Sequence, residues 1–159
     1  MNKQEFSELI KEDKYQVFLF ASPVPIPFNF AVHTWFVINL KGEINRWEFG
    51  KFKGSPYPNG IGVLKNFFLP TEGMNKFFWK SSPRFDSELL NFIEGGENSL
   101  AKEMCFFIEK NAKLYSLRNK YILTGPNSNT FTQWILNKFP KTDFKLPLNA
   151  IGKGNNSIL

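Results

Sequence analysis

The pattern of hydrophobic and polar positions divides the chain into short β-strands and helices. Runs rich in valine, phenylalanine and other strand-forming residues, bounded by glycine, proline and asparagine, predict the strands. Five segments have this character: residues 15–21, 30–40, 43–52, 88–93 and 121–124. The turn Lys41-Gly42 joins the second segment to the third, so these two are predicted to form a hairpin. Proline at every second position in residues 22–28 predicts an extended connector, because proline cannot donate to a sheet ladder.

Apolar residues spaced three and four positions apart predict the helices. The predicted helices are a short one around residues 6–10, the clearest one over residues 98–115 and a last one over residues 131–139. Thr130 and Gln133 fit a capping box for the last helix, and Asn98 or Ser99 caps the one before it. This mixture predicts an α+β fold, in which an antiparallel sheet is packed with helices.

The length and composition fit a single domain and exclude several kinds of functional site. With 159 residues, 42% hydrophobic and 21% charged, the chain has the make-up of one globular domain. We expect that domain over residues 1–153 and a frayed tail over residues 154–159. The only cysteine, Cys105, excludes an internal disulfide, and together with the only histidine, His33, it cannot form a structural zinc site. The sequence therefore predicts neither a metal nor a cofactor.

The net charge and the N-terminal sequence bear on where the protein is located and on what it binds. The formal net charge is +6, which can indicate nucleic acid or an anionic membrane surface. The lysines, however, are scattered from Lys3 to Lys153, and no nucleic-acid recognition motif is present, so nucleic acid is disfavoured. No apolar stretch is long enough to cross a bilayer, and residues 1–15 lack the apolar core of a signal peptide. We expect a cytoplasmic protein, in agreement with one unpaired cysteine.

The most unusual local sequence is GPNSNTF, at residues 125–131. A tight turn that opens a helix places a small polar side chain near free N–H groups and the positive end of the helix dipole. Such a position suits a nucleophile or an oxyanion site. Asparagine, serine and threonine are also the best helix caps, and capping is the more frequent role.

His33 lies within the best predicted strand, on the same face as Trp35. A lone histidine on a buried strand is more often a core residue than a catalyst, unless the fold brings a partner to it. Trp35 and Trp47 either line a groove for a hydrophobic ligand or pack in the core. The residues alone leave these alternatives open.

Several segments together carry a resemblance to a known family. In chain order they are Ala31-Val32-His33-Thr34-Trp35, Arg46-Trp47-Glu48, GPNSNTF, Leu146-Pro147 and AIGK at residues 150–153. The chain resembles a bacterial family of unknown function that is marked by an early H-x-W strand, a late GPNSNTF turn and a closing AIGK. The resemblance spans residues 15–153, and GPNSNTF is its specific part.

A more distant resemblance concerns mechanism. The NSNTF part of the turn is similar to the N-C-x-x-F turn of circularly permuted papain-like proteins, which include NlpC-type permuted peptidases, the lecithin:retinol acyltransferase group and PPPDE peptidases. The resemblance implies a permuted papain-like (cysteine-peptidase-like) architecture with Ser128 at the position of the nucleophilic cysteine and His33 as general base. Glu48 becomes the residue that orients His33, and Asn127 or Asn129 the oxyanion or orienting amide. From the residues alone, a solvated strand position is the commoner role of Glu48.

The serine is a serious departure from the cysteine pattern. A hydroxyl is a far weaker acid than a thiol, so Ser128 needs a true general base oriented by a third group. The resemblance therefore favours a non-catalytic or degenerate binding module, a pseudoenzyme whose ligand is a small molecule, a lipid or a peptide. The alternative is a serine-dependent hydrolase or acyltransferase that acts on an amide or ester, with Ser128 as nucleophile and His33 as base.

Overall fold

A computed structural model describes residues 1–79 and 81–154 of the chain. Among these residues the strands are β1 (Tyr15–Pro23), β2 (Val32–Leu40), β3 (Glu43–Lys51), β4 (Ile61–Lys65) and β5 (Glu88–Gly95). The helices are α1 (Lys3–Leu9), α2 (Leu100–Asn111) and α3 (Ser128–Lys138). The predicted α+β class is therefore confirmed. In the part of the chain that is described, no helix is both long enough and apolar enough to span a membrane.

The five strands form one antiparallel sheet in the order β4-β3-β2-β1-β5. The predicted hairpin is present as β2 and β3, and its two turn residues, Lys41 and Gly42, have φ values of 53° and 98°. Positive φ at both positions is what a tight two-residue hairpin turn requires. The last strand, β5, returns to pair with β1, so that β1, β2 and β3 are the inner strands of the sheet.

Alternation along the strands gives the sheet two buried faces. On one face, Phe36 of β2 and Trp47 of β3 pack against α2 and α3 in the larger core. We call this the helix-covered face. On the other face, Trp35 of β2 packs with Phe20 of β1 and with Phe6 of α1. A long irregular segment between β4 and β5 covers the rest of this second face. We call it the covering loop, and its described residues are 66–79 and 81–87.

Several predicted boundaries are wrong, each for a physical reason. The strand predicted at residues 121–124 is a turn, because Ile122 donates its N–H to the Pro126 carbonyl rather than to a strand. Strand β4 was not predicted at all. The last helix begins at Ser128, earlier than predicted, because the cap is Asn127 and not Thr130. The predicted tail lies outside the described residues from position 155 onward.

Cys105 is buried on α2, on the side that faces the sheet. Its thiol donates to the Gln16 carbonyl at 3.3 Å. Burial raises the pKa of the Cys105 thiol to about 12, although the backbone hydrogen bonds oppose this rise. The thiolate is therefore scarce at neutral pH, so Cys105 cannot replace Ser128 as a nucleophile.

Candidate functional site

The candidate site lies where β2 and β3 separate. The ladder between them ends at the pair Phe36 and Trp47, although β2 continues along β1 and β3 continues along β4. Beyond that pair, each strand is held only by its outer neighbour. The side chains of His33, from β2, and Glu48, from β3, meet in this space.

His33, Glu48 and Arg46 form one buried cluster. His33 Nε2 lies 2.9 Å from Glu48 Oε2, and Arg46 Nη2 donates to the same oxygen at 3.0 Å. Arg46 Nε is 2.9 Å from Glu48 Oε1 but is not aligned for a hydrogen bond, so this second contact is electrostatic. None of the three side chains is more than 1% exposed. Burial this deep is tolerable for a carboxylate because its charge is paired.

The cluster keeps the Glu48 carboxylate ionised. Burial alone raises the pKa of Glu48, but the charge of Arg46 and the hydrogen bond from His33 together hold it below its ordinary value. Glu48 is therefore an anion, and its best partner is a protonated His33 Nε2. In the neutral imidazole this leaves Nδ1 as the hydrogen-bond acceptor.

Arg46 also fastens the covering loop to the sheet. Its Nη1 donates to the carbonyls of Leu69 and Glu72, at 2.8 and 2.6 Å. The guanidinium lies 4.1 Å from the centroid of the Trp35 ring, and Trp35 Nε1 donates to the Pro70 carbonyl at 2.9 Å. The same cation that neutralises the buried carboxylate therefore holds the loop in place.

Between the sheet and the covering loop lies a cavity of about 700 Å³ that His33 helps to line. Its inner wall is aromatic. The Phe52 ring is centred 5.8 Å from His33, 5.8 Å from Phe67 and 5.0 Å from Phe68. Rings in edge and stacked contact make a stiff apolar surface.

The polar groups of the cavity are few and mostly positive. Lys51, Lys53 and Arg84 line it, and no aspartate or glutamate is among its described lining residues. Arg84 is already paired with Glu72 at 2.7 Å. The Asn75 side-chain oxygen is buried there without a hydrogen-bond partner. The cavity thus offers exposed lysine charge and one unused acceptor to a ligand.

Ser128 is the first residue of α3 and is buried. Burial raises the pKa of Tyr121, and the neighbouring Ser128 side chain and backbone oppose that rise. Tyr121 lines the cavity together with His33, but Ser128 is not among the lining residues. Ser128 therefore lies next to Tyr121, which lines the cavity, and does not line the cavity itself.

The other polar residues of the turn hold the end of the described chain. Asn127 and Asn129 both donate side-chain N–H groups to the Ile151 carbonyl, at 3.0 and 2.9 Å. The Thr130 hydroxyl donates to the Gly152 carbonyl at 2.9 Å. We call these contacts the C-terminal clasp.

Gly152 is required by the geometry of the clasp. Its φ is +91°, and a Cβ atom at this position would lie 2.6 Å from Asn127 Nδ2. The GPNSNTF turn and the closing AIGK, which stood out separately in the sequence, are therefore two halves of one structural unit. Asn129 extends that unit into the sheet, because it also donates to the Val32 carbonyl and accepts from the Thr34 hydroxyl.

The other predicted site residues do not all lie at the cavity. His33 lines the cavity and Glu48 supports it, whereas Asn127 and Asn129 belong to the clasp. The Trp35 ring packs against the guanidinium of Arg46. Trp47 is in the core of the helix-covered face, where its Nε1 donates to Glu109, and it does not line the cavity.

Sequence reasoning missed Arg46 and Tyr121. A signal for Arg46 was available, because it stands two positions before Glu48 and strand alternation puts both side chains on one face. Tyr121 carried no comparable signal, since it lies in a segment that was predicted to be a strand. The phenylalanine pairs of the covering loop have no periodicity, and so they did not indicate a cavity wall.

Fold and site together define an α+β protein in which a five-stranded antiparallel sheet carries a buried His–Glu–Arg cluster beside an aromatic cavity. The chain belongs to the family described as "Protein of unknown function (DUF3750)", which matches residues 14–155. Searches of curated proteins and of solved structures find no significant match. Among the described residues, no group of histidine, cysteine and acidic side chains is arranged to hold a metal ion.

Proposed function

We propose that the protein is a non-catalytic binding module whose cavity takes up an apolar molecule carrying a negative charge. The observation that carries this proposal is the cavity of about 700 Å³, walled by phenylalanine and bordered by lysine. Its volume lies within the range of small-molecule sites, which are mostly apolar with a few directing polar groups.

The polar groups suggest how such a ligand is oriented. An apolar body packs against Phe52 and Phe67, while its anionic group faces Lys51 and Lys53. A hydroxyl or N–H group of the ligand can donate to the unpartnered oxygen of Asn75. Satisfying a buried acceptor is favourable because an unmade hydrogen bond is costly.

We also propose that the scaffold derives from circularly permuted papain-like proteins and has lost its catalysis. Two features support this relationship. His33 lies on an early strand, and the NSNTF turn opens a later helix that packs on the same sheet. Tyr121 links these two features, because it lines the cavity with His33 and lies beside Ser128.

The second candidate is the serine-dependent hydrolase or acyltransferase. It is favoured by the contact with Glu48, which leaves Nδ1 of His33 free to accept a proton. The position of Ser128 favours binding instead, since a molecule in the cavity meets His33 and Tyr121 and not the serine hydroxyl. General-base catalysis needs the nucleophile within hydrogen-bond reach of its base.

Ser128→Ala separates the two candidates. We expect the wild-type protein to resist labelling by a fluorophosphonate, and the variant to lose only about 1 kcal/mol of unfolding free energy, because one buried hydroxyl is removed. Labelling is read by intact-protein mass spectrometry and stability by urea denaturation. Labelling of the wild type that disappears in Ser128→Ala would establish the serine as a nucleophile and reject the non-catalytic proposal.

Ligand uptake can be measured with two matched probes. We expect fluorescence enhancement with anilinonaphthalene sulfonate, an anionic aromatic amphiphile, and with N-phenylnaphthylamine, its uncharged analogue. Changing Lys51 and Lys53 together to glutamine should weaken the sulfonate roughly tenfold, because each exposed charge contributes up to about 1 kcal/mol. Binding of the neutral analogue should stay unchanged.

The control for these probes is a double change of Lys141 and Lys145 to glutamine, since both are exposed and neither lines the cavity. This variant should bind both probes as the wild type does. The proposal is wrong if neither probe binds, or if both double variants weaken the sulfonate equally.

A further inference from the structure

Two loops beside the cavity expose large aromatic side chains together. The connector between β1 and β2 is joined to the covering loop by a hydrogen bond from the Ile26 N–H to the Lys76 carbonyl. The Phe28 ring is centred 6.4 Å from Phe30 and 6.4 Å from Phe78. Phe30 is 61% exposed and Phe78 is 70% exposed. Such contiguous apolar exposure marks a binding surface rather than a scattered surface residue.

This aromatic surface is continuous with the mouth of the cavity. Its members are the exposed residues Phe28, Phe30, Phe78, Trp79, Ile122 and Leu123, which we call the mouth patch. Phe28, Phe78, Ile122 and Leu123 also line the cavity, and Trp79 stacks on the lining residue Phe77. A surface that covers the mouth patch therefore also faces the cavity.

The charge around the mouth patch is positive. Lys51 and Lys53 are exposed and line the same cavity, and Lys76 lies in the covering loop beside the connector. Aromatic rings with lysines around them match a bilayer interface, where rings enter the headgroup region and lysines meet anionic lipids. We infer that the mouth patch binds the surface of an anionic membrane.

A bilayer fits this combination better than a protein partner does. The aromatic residues lie on loops, and the described residues that line the cavity include no carboxylate that an anionic headgroup would repel. The bilayer is also a reservoir of apolar, negatively charged molecules. Docking itself needs no ligand in the cavity, so this inference does not rest on the proposed function.

Vesicle sedimentation tests the inference directly. The purified chain is spun with vesicles of phosphatidylcholine alone and of phosphatidylcholine mixed with phosphatidylglycerol. We expect sedimentation with the anionic vesicles that weakens as salt is raised, and much less with the neutral ones. The double change of Lys51 and Lys53 to glutamine should lower the partition coefficient roughly tenfold.

Variants of the patch give the apolar part of the test. Changing Phe78 and Trp79 together to serine should lower the partition coefficient at least about tenfold, because two exposed rings leave the interface. Leu148→Ser is the matched control, since Leu148 is 96% exposed and lies outside the mouth patch. It should sediment like the wild type. Because Phe78 and Trp79 are more than half exposed, the melting temperature should change little, and it is measured for each variant to exclude unfolding.

Trp79 supplies an independent readout. It is 55% exposed, whereas Trp35 and Trp47 are buried and Trp134 packs against the core of the helix-covered face. Vesicles that contain brominated acyl chains should quench tryptophan fluorescence in the wild type, and Trp79→Phe should remove this quenching while the protein still sediments.

Membrane docking is wrong if the protein does not sediment with anionic vesicles at low salt. It is also wrong if the patch and control variants lose sedimentation equally. A third contradicting result is that the protein binds no vesicles but self-associates, and that the patch variant abolishes this self-association. Probe uptake is measured without vesicles, so failure of docking and failure of ligand binding can be told apart.

Discussion

Glu48→Gln should lower the free energy of unfolding by about 3–5 kcal/mol, the usual effect of removing one partner from a buried ion pair. The reason is the charge left behind. Arg46 is fully buried, and without Glu48 its guanidinium has no counter-ion in the cluster. The acceptor that His33 Nε2 meets becomes an uncharged amide oxygen, which is a weaker partner than the carboxylate. Urea denaturation followed by circular dichroism measures the loss.

Glu43→Gln is the control for this variant, because Glu43 lies on the same strand and is exposed. It should change stability by less than about 0.5 kcal/mol. Equal, small losses in both single variants would contradict the role assigned to the cluster.

Acidification should remove the stabilisation that the Glu48 carboxylate provides. The pKa of Glu48 in the folded chain lies below its ordinary value of about 4.5, so the folded state binds its proton less readily than the unfolded state does. Its stabilisation is fully present above pH 4.5 and is lost as the pH falls through the lower folded pKa. The stability difference between the wild type and Glu48→Gln should therefore be constant near neutrality and shrink in acid.

Asn127→Ala should lower the free energy of unfolding by about 3 kcal/mol, which sums a lost helix cap and two lost hydrogen bonds to backbone carbonyls. The Asn127 side-chain oxygen accepts the N–H groups of Asn129 and Thr130 at the start of α3. Its amide group donates to the carbonyls of Leu123 and Ile151, at 2.7 and 3.0 Å. One substitution thus opens both the cap and the C-terminal clasp.

Hydrogen exchange distinguishes this effect from general weakening. Asn127→Ala should speed exchange of the Ala150 and Lys153 amides, which belong to the turn beside the clasp, more than that of amides in β1. Asn137→Ala, at an exposed position of the same helix, is the control and should leave both sets unchanged. Uniform acceleration across the sheet would show that Asn127 has no specific role at the clasp.

Much of the sheet could be predicted from the sequence, because its central strands are long apolar runs joined by a turn of recognisable chemistry. Alternation also indicated correctly that His33 and Trp35 share a face of β2. Glu48 was harder to predict. A glutamate on a strand is usually solvated, and its burial depends on Arg46, which supplies the counter-charge across the same face.

The rest of the site depends on contacts between distant segments. The cavity wall comes from a covering loop without periodicity, and Arg46 fixes that loop by donating to backbone carbonyls, which any residue type can supply. The role of the turn was likewise ambiguous. Whether its asparagines cap, clasp or assist a nucleophile is decided by the Ile151 and Gly152 carbonyls, and no local pattern places them there.

The C-terminal clasp also has a consequence for the order of events during synthesis. The donors of Asn127, Asn129 and Thr130 reach their carbonyl partners only after Ile151 and Gly152 have been translated and have left the ribosome. Until then α3 lacks those partners, although the strands are already complete. Because translation proceeds from the N-terminus at about 5–20 residues per second, the sheet should form first on the nascent chain. The helix should lock onto it late, as one of the last steps of folding.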